Sequence, residues 1–133
     1  MSVKAFTVGG AQYNAAMASA VDQDRLMSLL SAGLIERSLT AAAIGNDLDD
    51  SILVPMLMAM PQAAKTQVAG ILMGRVMVNG TTQPVTAADF SGKMVHYNQL
   101  LAGLLRWNLG DFFDWLRAAH AEGKEQRAPA AAQ

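Results

Sequence analysis

A small, mainly α-helical domain of about five helices behind a short N-terminal β-hairpin is the fold class this sequence predicts. Three observations predict it. Apolar residues recur at helical spacing through most of the chain, capping and breaking signals divide that pattern into pieces, and a Gly-Gly pair near the start separates two alternating segments. The chain has 133 residues and no cysteine. That length suits one domain that buries a core without disulfides or metal. We expect the domain to occupy residues 1–121.

The hairpin comes first. Lys4 to Val8 and Ala11 to Met17 flank Gly9-Gly10, a pair suited to a two-residue turn with positive φ. Phe6 and Val8 would share a face with Ala11, Tyr13 and Met17 and lie on helices. Next, Asp22 precedes QDRLMSLLSAGLIERSL, where Leu26, Leu29, Leu30 and Leu34 repeat at helical spacing behind early acids. This predicts a helix from about Gln23 to Ser38. The alanine-rich stretch Ser38 to Ile44 extends it or forms a second short helix, stopped by Gly45-Asn46. Asp47, Asp49 and Asp50 then crowd the start of an apolar run. They lack the glycine and terminal Glu of a calcium loop, so capping of a helix N-terminus is the expected role.

Ile52 to Met77 carries five of the nine methionines, Met56, Met58, Met60, Met73 and Met77. From Ser51 to Ala59 the helix is apolar on every side, with Pro55 in or near its first turn. Pro61 starts a second helix whose stripe of Ala64, Val68, Ile71, Leu72 and Val76 runs to a stop at Val78-Asn79-Gly80. A loop over 79–86 is expected. A hairpin through Asn79-Gly80 competes, but Pro84 cannot donate to a ladder. Leu53, Val68, Leu72 and Val76 should point inward.

Thr86 to Asp89 resembles a capping box, opening a helix with Phe90, Met94, Tyr97, Leu101, Leu104 and Leu105 on one face. Trp107-Asn108-Leu109-Gly110 interrupts it, and a further helix starts at Asp111. Six of the eight aromatics fall between Phe90 and Trp115, enough apolar area to close a core. After Ala121 periodicity ends, so 122–133 is expected to be a disordered tail.

Composition narrows the function. Lys and Arg total 10 against 11 Asp and Glu, without a basic block, so nucleic-acid binding is disfavoured. The apolar run from Ile52 to Met60 is far shorter than a bilayer span, and MSVKAFTVGG has no apolar h-region, so neither membrane insertion nor secretion is expected. His96 and His120 have no acid or serine at triad spacing, and no phosphate-cradling glycine loop occurs. Neither an enzyme nor a cofactor site is expected. Hydrophobic residues make up 52% and charged ones 16%, more apolar surface than a lone small domain hides. A protein partner or a homo-oligomer follows. Methionine grips varied apolar surfaces, so Met56, Leu57, Met60, Met73 and Met77 are the leading contact residues, with Phe112 and Trp115 second.

The order of motifs FTVGGAQYN, VDQDRLMSLL, LMAMP, QVAGILMGRVMVNG, VTAADFSGKM and WNLGDFFDWL resembles that of the tail assembly chaperones of long-tailed bacteriophages, from about Phe6 to Leu116. The resemblance implies a helical, non-enzymatic protein of the host bacterial cytoplasm, absent from the finished virion. It would bind and solubilise the tape measure protein and help recruit the tail tube protein. In many members a ribosomal frameshift appends a domain that contacts the tube subunit. The alternative is a self-assembling structural subunit, such as a head–tail connector component.

Overall fold

The computed structural model describes residues 3–30, 50–115 and 118. They form a small, mainly α domain in which five helices accompany an N-terminal hairpin, the fold class read from the sequence. Strands β1 (Val3–Val8) and β2 (Ala11–Ala16) pair antiparallel through the Gly9-Gly10 turn. Both glycines have positive φ, 56° and 83°, the geometry a two-residue turn needs to match strand twist. Phe6 lies opposite Tyr13 and Val8 opposite Ala11, so these side chains share one face, and Phe6, Val8, Tyr13 and buried Ala15 pack on the core.

Helix α1 spans 20–30, beginning earlier than the acid pattern suggested. Its cap is Ser19: Oγ accepts the Asp22 amide at 3.2 Å and the carbonyl accepts the Gln23 amide at 2.8 Å. Leu26 and Leu30 enter the core. The expected continuation of this helix to Ser38, the alanine-rich stretch, Asp47 and Asp49 lie outside the described residues, as do His120 and the tail 122–133.

Helix α2 (Asp50–Ala59) carries Pro55 in its interior. It buries Leu53, Met56 and Leu57 but leaves Met58 and Ala59 exposed. Pro61 occupies the cap position of α3 (Gln62–Met73), where its missing N–H removes no helical bond. Val68 and Leu72 face inward, as their spacing predicted.

Several expectations are corrected beyond this point. The second methionine helix does not run to Met77: it ends at Met73, and after Gly74-Arg75 the chain becomes strand β3 (Val76–Val78). β3 pairs antiparallel with β2, giving a sheet of order β1-β2-β3. Nor is 79–86 only a loop. Val85 donates to the Val76 carbonyl and Val78 to the Gln83 carbonyl, each at 3.0 Å, and Met77 bridges Pro84. Residues 83 and 85 face β3, so Pro84 between them points its ring nitrogen away from the ladder. The missing donor is therefore harmless.

The capping box at Thr86 is present, with Asp89 accepting the Thr86 amide at 2.9 Å, but it opens only a 3₁₀ turn (Ala87–Phe90). Gly92, at φ 75°, then breaks the path, and α4 (Met94–Asn108) starts separately. Met94 consequently leaves the stripe expected to hold it and is exposed. Helix α4 is the central element, touching α2, α3, β1 and the 3₁₀ turn, with Tyr97, Leu100, Leu101, Leu104 and Leu105 buried. Phe6 sits over Gly103, where an added Cβ would meet its ring at 3.3 Å, and meets Trp107 edge-on at 5.7 Å between centroids. Tyr13, Phe90 and Tyr97 continue this aromatic contact from sheet to helix. The chain turns at Leu109, as predicted, and α5 covers 110–115.

Candidate partner-binding surface

The two-face character of α2 and α3 decides which methionines reach solvent. In α2, packing against α4 takes the face of Leu53, Met56 and Leu57. Met56 is 6% exposed and Leu57 fully buried, so both act in core packing. Met73 is 9% exposed, in the last turn of α3 beside Leu72. The expectation that these three lie on the outer surface is corrected. A helix apolar all round offers no sequence cue to which side the neighbour takes.

Met60 is half-buried and packs against the core. Met77 is half-buried as well, but on a strand rather than a helix shoulder. It lies opposite Asn14, on the sheet face away from the core. On that face Asn14 Nδ2 donates to Asn79 Oδ1 at 3.0 Å, and Asn79 Nδ2 donates to Gln12 Oε1 at 2.9 Å. Met73 and Met77 therefore belong to different elements and different faces.

In α5, Phe113 is buried and anchors the helix, while Phe112 is half-buried and Trp115 is 61% exposed. The Phe112 ring lies 5.5 Å from Phe113 and 6.2 Å from Trp115, so it joins the buried ring to the solvent-facing one. These second-choice contacts are accessible in the isolated chain.

Sequence reasoning missed Met58, Met94 and Val95, exposed by 49%, 52% and 51%. Met58 stands one position beyond buried Leu57, on the side of α2 turned from α4. Met94 and Val95 open α4 and, with Gly92, Lys93 and His96, line a shallow depression of about 350 Å³. Gly92 was the available signal: a glycine two residues before Met94 permits the break that turns this methionine outward.

Asn98 is almost fully buried; its Nδ2 donates to the Met94 carbonyl and its Oδ1 accepts from Lys65 Nζ at 2.7 Å. The Lys65 ammonium also stands 5.8 Å from the Tyr97 ring centroid. Desolvation lowers the Lys65 pKa and raises that of the Tyr97 phenol. His96 rests against the hairpin turn at Gly9. Among the described residues no helix is long and apolar enough to cross a membrane.

The fold and this surface define a class: a small helical domain, with an appended sheet, that presents large apolar side chains to solvent. A scan against protein-family models, a search of curated proteins and a search of solved structures each returned no match.

Proposed function

We propose that this protein is a tail assembly chaperone that binds and solubilises a phage tape measure protein. The observation that carries the reading is the exposure of Met58, Met94, Val95 and Trp115 on the isolated chain. Adaptable apolar side chains displayed on rigid helices suit a client that is itself a long apolar helix, because flexible methionines repack against varied sequence. The order of motifs from Phe6 to Leu116 supports the same assignment, and recruitment of the tail tube protein is proposed with it. The client contacts assigned here are Met58, Met94 and Trp115, with Phe112 beside Trp115.

Co-expression with a tape measure protein tests the proposal. The native chain should raise the soluble fraction of the client and co-purify with it. Met58→Asp, Met94→Asp and Trp115→Ala should each weaken capture while far-UV circular dichroism stays native. A client that remains insoluble beside the native chain overturns the function. Undiminished capture by the triple variant overturns the surface.

A further inference from the structure

The ladder determines which backbone groups of β1 face outward. Ala16 donates its N–H to the Arg75 carbonyl and Asn79 donates to the Gln12 carbonyl, both at 3.1 Å. Even-numbered residues of β2 therefore turn their amides toward β3, and odd-numbered ones turn toward β1. The register sets Ala15, Tyr13 and Ala11 opposite Lys4, Phe6 and Val8, which are the β1 residues bonded inside the sheet. Val3, Ala5 and Thr7 direct N–H and C=O away from it. All three are exposed, and among the described residues no strand lies on the outer side of β1. The far edge of the sheet differs, because Pro84 faces outward there without a donor. Among the described residues one edge is blunted and the other is open.

We propose that the open edge is closed by β1 of a second copy, running antiparallel about a two-fold axis at Ala5. In that register Ala5 faces Ala5 of the other copy and Val3 faces Thr7. Every outward group then meets its complement, and each of these narrow pairs closes both of its hydrogen bonds. Charge placement favours a second copy in this register. Lys4 falls opposite Phe6 of the other subunit rather than opposite another lysine, at the closely spaced kind of pair. Its ammonium already stands 5.5 Å from the centroid of its own Phe6 ring, so the same cation–aromatic contact is offered across the axis. Small side chains at Ala5 and Thr7 let the strands approach. The contact is isologous and uses the same edge in both subunits, while Pro84 blocks the other edge. Assembly by this route stops at a dimer. The inference is independent of the client reading and is tested on the isolated chain.

Because the chain has no cysteine, single cysteines report the register. Paired Cα atoms at the axis stand about 5.5 Å apart, within the span of a disulfide. Ala5→Cys should give a covalent dimer on mild oxidation. Thr7→Cys alone should not, while Thr7→Cys mixed with Val3→Cys should. In sedimentation analysis the native chain should be a dimer, and Ala5→Pro, which removes only an outward N–H, should associate about tenfold or more weakly. Should Ala5→Pro disturb the fold, Ala5→Lys replaces it by setting like charges together on the axis from an exposed position. A monomeric native chain, a closed ring larger than a dimer, self-linking of Thr7→Cys equal to that of Ala5→Cys, or a folded Ala5→Lys that dimerises normally each overturns the proposal.

Discussion

Asn108 Oδ1 accepts the Ala18 amide hydrogen at 2.8 Å, tying the exit of β2 to the last turn of α4 across 90 positions of sequence. The same side chain donates Nδ2 to the Leu104 carbonyl at 2.9 Å. Both ends of a buried amide are thus matched, and the sheet is fastened to the central helix by a directional contact as well as by aromatic packing.

Asn108→Ala would leave the buried Ala18 amide without its partner. We expect a loss of about 1–3 kcal/mol in urea unfolding, with the folded secondary structure unchanged. A loss below about 0.5 kcal/mol would mean that water replaces the side chain.

Gly9 and Gly10 should respond differently to alanine. Both have positive φ, which costs a side chain about 1–2 kcal/mol. A Cβ at Gly9 would also lie 2.6 Å from His96 Nδ1, whereas nothing lies within 4 Å at Gly10. Gly9→Ala should therefore lower the melting temperature more than Gly10→Ala. In a His96→Ala background the two should converge, leaving the backbone contribution alone.

Lys65 and Asn98 should be coupled. Lys65→Met strands the buried Asn98 oxygen and should cost about 1–3 kcal/mol, part of which Asn98→Leu restores in the double variant. The pH dependence has a definite sign. The folded pKa of Lys65 lies below its ordinary value of 10.5, so the native state releases that proton before the unfolded chain does. Stability then rises as pH approaches 10.5, because the unfolded chain holds more protons. Tyr97 acts oppositely: its folded pKa lies above 10.0, so stability falls as pH passes 10.0 and the unfolded phenol ionises first. Urea midpoints followed from neutral pH upward should lose the early rise in Lys65→Met and keep the later fall.

Charge placed on two methionines should separate packing from contact. Met73→Lys sets an ammonium in the buried apolar cluster and should cost about 3 kcal/mol or more. Met58→Lys should stay within about 0.5 kcal/mol of the native chain, since its side chain already meets water. Comparable losses at both positions would show that Met58 is covered in solution.

Much of the fold was legible because its signals act within a few residues. Gly9-Gly10 imposes the hairpin turn, the Thr86 to Asp89 spacing builds its capping box, Pro61 starts α3, and α4 ends within the Trp107 to Gly110 segment. Each depends on local φ and ψ or on a hydrogen bond across three or four positions, which sequence spacing encodes directly. Val76-Met77-Val78 was not legible in this way. Three residues read as a continuation of α3 until β2 supplies the edge that turns them into a strand, and that partner lies some sixty positions earlier.

The same division runs through the contact surface. Composition alone determined that this chain carries more apolar area than a small domain hides, and helical spacing determined that Val68 and Leu72 turn inward. Only the tertiary structure decided that Met56, Leu57 and Met73 join them while Met58, Met94 and Trp115 face solvent. The reason is physical. A helix apolar on all sides has no intrinsic inner face, and burial is set by the neighbour that packs against it, here α4 against α2, not by the residues it covers.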